Sequence, residues 1–313
     1  MVTVANPDLS VNIDDLKLKN PIITASGTYG YADEYENFVD LQNIGAIITK
    51  GITLNPREGN LQPRIKEVKG GLINSIGLEN IGIHAFIEKK LPLLQEKNIN
   101  FILNIAGFSI KEYIELARIC EVSNIKAMEL NVSCPNVEEG CLEFGKDKDV
   151  LYKLVASVRE VFSGTIIVKL SSNVSNPCEL ALKVEKAQAN AISAINTVKA
   201  MNVNLNIENN KFSHSFIKGG LSGLTIKPIA LGFIHEIRQV SNIPIIGMGG
   251  ISNINDVLEF FAVGSDAVQL GTANFTHPDI SEKLAKELEN LLIKHNMSNL
   301  QDLITEVRKI RDE

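Results

Sequence analysis

A thiol set between carboxamides stands out in the chain: Asn131-Val132-Ser133-Cys134-Pro135-Asn136, directly after the apolar run Ala127-Met128-Glu129-Leu130. A cysteine has an ordinary pKa of about 8.5, so part of it is thiolate near neutrality and can accept a proton from carbon. The flanking amides supply donors and acceptors for a planar polar ligand. A short apolar run that stops in Pro and Asn reads as a strand running into a loop, which places this group at a strand's C-terminal edge. The other cysteines, Cys120, Cys141 and Cys178, make no Cys-x-x-Cys spacing, so no zinc site or redox disulfide is expected and no metal is assigned. Cys120, within the apolar pattern of 113–122, and Cys178, after Pro177 at a helix start, read as small packing residues.

The elements that must position these groups alternate. Short β-branched runs occur at 21–25, 45–49, 101–103, 127–130, 165–168, 191–195, 244–247 and 266–270. Stretches with helical periodicity follow them at 34–41, 83–96, 110–121, 150–162, 179–188, 229–240, 254–262 and 280–295. Strand–helix units in this order predict an α/β protein, a (β/α)8 TIM barrel, rather than an open doubly wound sheet. Residues 10–18 read as an N-terminal β-hairpin that caps the barrel's bottom. Long loops on the C-terminal face are expected at 51–82, 135–149 and 197–228, the last rich in Asn and Lys and expected to be mobile in part.

Composition narrows the function classes. The chain has 313 residues, 44% hydrophobic and 22% charged, with a formal net charge of −6 and no Trp. These values suit one globular barrel domain over 1–313 and give no basic stripe for nucleic acid. No apolar run approaches a membrane span, and residues 1–9 have neither a basic n-region nor an apolar h-region. The reading is a cytoplasmic protein with no membrane partner.

Each predicted strand closes in a small or polar residue: Ser26, Lys50, Asn104, Asn131, Lys169, Asn196, Gly249 and Gly271. In a barrel these gather at the C-terminal face, where active sites of this fold are built. Gly247-Met248-Gly249-Gly250-Ile251 and Gly271-Thr272-Ala273 follow the seventh and eighth strands, the usual position of a phosphate grip. Lys50 and Lys169 suit the negative charge that a reduced flavin develops along its N1–C2=O edge, which favours FMN over a bare sugar phosphate. Each lysine also has a plainer reading as an ion-paired barrel residue.

Taken in order, Ala25-Ser26-Gly27-Thr28, Thr49-Lys50-Gly51, Asn74-Ser75-Ile76-Gly77-Leu78-Glu79-Asn80, Asn131 to Val137, Ile195-Asn196-Thr197, Gly219-Gly220-Leu221-Ser222-Gly223 and Gly249-Gly250-Ile251 resemble the dihydroorotate dehydrogenases. The match covers Leu16 to Ala273 and is to class 1, whose base is cysteine where class 2 has serine. Pro56-Arg57-Glu58-Gly59-Asn60, Gln62-Pro63-Arg64 and Gly140-Cys141-Leu142-Glu143-Phe144-Gly145 look like class 1B rather than the fumarate-using class 1A.

The resemblance implies oxidation of dihydroorotate to orotate in pyrimidine biosynthesis, with Cys134 as the base and hydride passing to FMN. It implies substrate contacts at Lys50, Asn74, Ile76, Gly77, Leu78, Asn131, Asn136, Asn196 and Thr197. FMN contacts are implied at Ser26, Lys50, Asn104, Asn131, Lys169, Ile195, Ser222, Gly223, Gly249, Gly250, Gly271 and Thr272. It further implies a homodimer core joined to a partner subunit carrying FAD and a 2Fe-2S centre, a heterotetramer that passes electrons to NAD. This chain has no cysteine cluster or dinucleotide fingerprint of its own for those centres. It departs from the family pattern at Cys141 (commonly Gly), Ser172 (usually Pro) and Lys199-Ala200-Met201-Asn202. Another FMN barrel that acts on pyrimidines and a non-catalytic ligand-binding barrel remain alternatives at this level.

Overall fold

The computed structural model describes residues 6–133, 135–136, 142–208 and 211–309. Eight parallel strands close into a barrel: β1 (Ile22–Thr24), β2 (Ala46–Ile48), β3 (Phe101–Ile105), β4 (Ala127–Asn131), β5 (Thr165–Leu170), β6 (Ala191–Ala194), β7 (Ile245–Met248) and β8 (Ala267–Leu270). Each pairs with its neighbours in sequence order, and β8 pairs β1. The strands are apolar on both faces because helices cover them outside and the barrel fills inside. Helices Ile110–Val122, Lys148–Arg159, Pro177–Lys186, Lys227–Val240, Ile254–Val263 and Ile280–Lys294 form most of the outer layer, and Leu300–Lys309 follows.

Alternation along the strands sorts the interior into layers. Ile23, Ala46, Ile48, Ile102, Ala127, Ile167, Ala191, Ile246 and Ala267 pack with Ile13, Leu16 and Leu18 in one buried cluster. The last three come from the antiparallel hairpin Val11–Ile13 with Leu16–Leu18, which closes the barrel's bottom as expected. Two residues further along five of the strands, β3, β4, β5, β6 and β8, the interior turns polar. Asn104, Glu129, Lys169, Ser193 and Gln269 are all buried there.

Two helix expectations fail. At 34–41 the chain forms only short 3-10 turns, Asp33–Tyr35 and Leu41–Asn43. Asp40 is extended, and its side chain accepts from Gln42 N–H, a local bond that competes with helix. The stretch 83–96 divides into Ile83–Lys89 and Leu91–Glu96, since Pro92 at the second helix's start cannot continue the first one's backbone bonding.

The connection at 197–228 is not a loop. It is a long antiparallel hairpin, Val198–Glu208 with Lys211–Ser222, which pairs onward to Gly71–Asn74 and Ile65–Val68. The first long connection therefore holds a hairpin too, and the two form one four-stranded sheet over the barrel mouth. Of the departures from the family pattern, Lys199 pairs with Glu143 at 3.0 Å, the Ser172 hydroxyl is buried without a protein partner, and Cys141 lies outside the described residues.

Candidate active site

Of the strand-end residues singled out from the sequence, Asn131 ends its strand, Ser26, Lys50, Asn196, Gly249 and Gly271 lie just beyond theirs, and Asn104 and Lys169 are one residue short of the end. Cys134 lies outside the described residues, as does the side chain of Asn136. Their neighbours define the place: Asn131 ends β4, its carbonyl accepts from Tyr113 Oη at 2.6 Å, and its Oδ1 accepts from Ser133 N–H at 3.3 Å. Asn196 reaches across from the end of β6, donating Nδ2 to Ser133 Oγ at 2.9 Å while its Oδ1 accepts from Thr197 N–H at 2.8 Å. The carboxamides of β4 and β6 thus converge on the residue before the thiol.

Lys50 stands on the opposite side of the mouth, beyond β2. Its Nζ lies 3.2 Å from Glu79 Oε1, and Glu79 also pairs with Arg64. The Lys50 hydrogen bond, then that of Arg64, holds the Glu79 carboxyl below the usual range, so Glu79 stays ionised and the tether persists through neutral pH. Ser26 Oγ donates to the Thr49 carbonyl at 2.8 Å, which docks the end of β1 beside Lys50.

The segment Ser75 to Asn80 is folded by the Asn80 side chain. Its Oδ1 accepts from Thr53 and Gly82 N–H at 3.2 and 2.8 Å, and its Nδ2 donates to the Leu78 carbonyl at 2.7 Å. Gly77 and Leu78 take positive φ, 76° and 56°. Among the described residues no acceptor takes the N–H groups of Ile76, Gly77 or Leu78, which suits the carboxylate expected from the sequence. Asn74 commits Nδ2 to the Gly220 carbonyl at 3.1 Å, so its amide is oriented by the hairpin sheet.

The residues expected to grip a phosphate lie close together. Thr272 Oγ1 donates to Ser222 Oγ at 2.7 Å, tying the end of β8 to the end of the hairpin. Gly223 and Gly250 both have positive φ, and a Cβ on Gly250 would lie 3.0 Å from the Gly223 carbonyl oxygen. A Cβ on Gly249 would meet Ala230 at 3.0 Å. Backbone this close, lined by hydroxyls, fits an anion recognised through N–H groups. Ile195, whose N–H donates to Met248 at 3.0 Å, connects this end to the mouth. Gly271 keeps the floor open beside Ala25.

Below the mouth, Lys169 Nζ lies 3.9 Å from Glu129 Oε1, and Asn104 donates Nδ2 to the same oxygen at 2.7 Å. The ion-paired reading of both lysines is therefore realised. Asn104 Oδ1 is buried and meets no protein donor. Such an acceptor is costly to leave unmet, and a ligand N–H would satisfy it. Glu129, Glu79, Ser193 and Gln269 were missed from the sequence. Their signal is parity: each interior one lies two residues past an apolar barrel-core position.

The family profile described as dihydroorotate dehydrogenase matches residues 8–292. The chain belongs to the dihydroorotate dehydrogenase family. A Geobacter metallireducens relative, a "Dihydroorotate dehydrogenase B (NAD(+)), catalytic subunit", is 45% identical over 299 residues, 95% of this chain and 97% of that protein. Proteins of the same name from Caldicellulosiruptor saccharolyticus and Phocaeicola vulgatus are 46% and 43% identical over 297 and 298 residues, 95% of this chain and 98% of theirs in each case. Within the dihydroorotate dehydrogenases the chain is thus most similar to B-type catalytic subunits, as the resemblance of its motifs implied. Among the described residues no helix is long and apolar enough to cross a membrane. Outside the site, Cys120 keeps its packing reading, since it is fully buried and burial pushes its thiol up to about 12, whereas Cys178, in the first turn of Pro177–Lys186, is only partly buried and its Sγ donates to the Glu236 carbonyl at 3.4 Å.

Proposed function

We propose that this chain oxidises dihydroorotate to orotate in pyrimidine biosynthesis, as a single FMN-binding barrel domain of the class 1B type. The observation that carries the reading is the convergence of the family's motifs on one barrel mouth. Amides of Asn131 and Asn196 meet beside the Cys134 segment, Lys50 stands opposite, and a glycine and hydroxyl grip lies at the ends of β7 and β8.

Ser222, Gly223, Gly249, Gly250, Gly271 and Thr272 would hold the phosphate of FMN, and Ser26, Lys50, Asn104, Asn131, Lys169 and Ile195 its ring system. When bound, FMN supplies the hydride acceptor for carbon C6 of the substrate. Cys134 takes the proton from C5, which is acidified by the neighbouring carbonyl. Asn74, Asn131, Asn136, Asn196 and Thr197 bind the pyrimidine's amide edge, and the N–H groups of Ile76, Gly77 and Leu78 take its carboxylate. Lys50, held by Glu79, neutralises charge between substrate and cofactor. The sequence offers no cysteine cluster or dinucleotide fingerprint for iron–sulfur or FAD, and the relatives carry the name "Dihydroorotate dehydrogenase B (NAD(+)), catalytic subunit". The proposal therefore includes a cytoplasmic homodimer core completed by a FAD and 2Fe-2S subunit into a heterotetramer.

The test is turnover. Purified protein should reduce an artificial acceptor dye with dihydroorotate and be inhibited by orotate. A pyrimidine lacking the carboxylate should inhibit far less, because the N–H groups of Ile76 to Leu78 would be left unmet. Absence of dihydroorotate-dependent reduction after FMN supplementation would overturn the reading.

A further inference from the structure

We infer that Glu129 is a positioning residue of the cofactor site: its buried carboxylate fixes the Asn104 amide with the oxygen facing the ligand and balances the charge of Lys169. The inference rests on the FMN reading and deepens it. Glu129 is fully buried on β4, yet donors from four other strands surround it. Asn104 Nδ2 and Ser193 Oγ donate at 2.7 Å, Gln269 Nε2 donates at 2.9 Å, and Lys169 Nζ lies 3.9 Å away.

An ionised carboxylate only accepts hydrogen bonds, so each neighbouring amide must turn its nitrogen inward. The oxygens are thereby turned away from it, and both Asn104 Oδ1 and Gln269 Oε1 are buried without a protein partner. The Asn104 oxygen lies against the rim, where a Cβ on Gly51 would approach it to 2.9 Å. A ligand here meets a fixed acceptor close to a cation. That order suits the pyrimidine edge of an isoalloxazine, in which N–H and carbonyl groups alternate. A buried carboxylate with a single cation at this separation also makes the layer formally neutral, so the field at the ligand depends on Glu129 as much as on Lys169.

Charge balance gives opposite signs for two variants. Glu129→Gln keeps the shape but removes the negative charge, leaving Lys169 uncompensated and favouring a reduced, anionic flavin. Ser193→Ala removes a neutral donor from the carboxylate, so its negative charge is felt more strongly. Both proteins, purified with FMN, would be equilibrated with a reference dye of known potential. The expected result for Glu129→Gln is a two-electron reduction constant at least about tenfold larger, which is a rise of about 30 mV. Ser193→Ala should shift it about threefold the other way. A merely structural role would not move the two midpoints in opposite directions. If Glu129→Gln fails to fold, the Ser193→Ala midpoint decides alone. Yellow, folded variants with midpoints equal to wild type overturn the inference while leaving the FMN reading intact. A wild type that holds no FMN overturns that reading and this inference together.

Discussion

Cys134→Ser is expected to slow dihydroorotate oxidation near neutral pH by two to four orders of magnitude, the range a positioned general base commonly contributes (about 10²–10⁴-fold). The variant is nearly isosteric, so the carboxamides of Asn131 and Asn196 that frame the segment keep their partners. Acidity is what changes. A thiol with an ordinary pKa of about 8.5 is partly ionised at neutrality, whereas a serine hydroxyl is not. Activity of the variant should therefore climb with pH, about tenfold per unit, where the wild type already levels off. Orotate binding should stay within a fewfold of wild type, because the substrate contacts are unchanged. Stopped-flow reduction at several pH values separates these effects. A variant as fast as wild type at neutral pH would remove Cys134 from the chemistry.

Gly250→Val is expected to abolish FMN retention and with it turnover. Gly250 has φ of 78°, which a β-branched residue adopts only with strain of order 1–3 kcal/mol. Its Cβ would lie 2.8 Å from Lys227 Cβ and 3.0 Å from the Gly223 oxygen, so the backbone that is proposed to approach the phosphate would have to shift. Loss of backbone approach to a phosphate should weaken FMN by at least about a hundredfold, near 2.7 kcal/mol. Gly232→Ala is the control, since nothing lies within 4 Å of a Cβ there and the residue sits inside helix Lys227–Val240. It should keep its flavin and gain helix stability of about 0.5–1 kcal/mol. The flavin-to-protein ratio of the purified variants is the measurement. Stoichiometric FMN in Gly250→Val would place the phosphate elsewhere.

The barrel was legible because its strands are short apolar runs closed by a polar or small residue, and all eight runs proved to be strands. The polar positions near the strand ends were legible for the same reason: Lys50, Asn104, Asn131 and Lys169 interrupt those apolar runs. What failed were segments whose shape is set locally or by a distant partner. The turn at Asp40 and the break at Pro92 override helical periodicity with a side-chain bond and a missing N–H. The alternation Val203, Leu205, Ile207 was a strand signal, masked by the intervening Asn residues. That hairpin also pairs with Gly71–Asn74, more than a hundred residues earlier in the chain. Glu129 was read as part of an apolar run, and its role emerges only once the strand's parity places it among Asn104, Ser193 and Gln269.

The central claim is that this barrel holds FMN and reduces it with dihydroorotate. Anaerobic addition of one equivalent of dihydroorotate to the purified protein tests it most directly. The account predicts a yellow protein whose flavin absorbance bleaches as orotate forms in equal amount. A protein that stays colourless after FMN supplementation, or one whose yellow colour persists with dihydroorotate unconsumed, would contradict it.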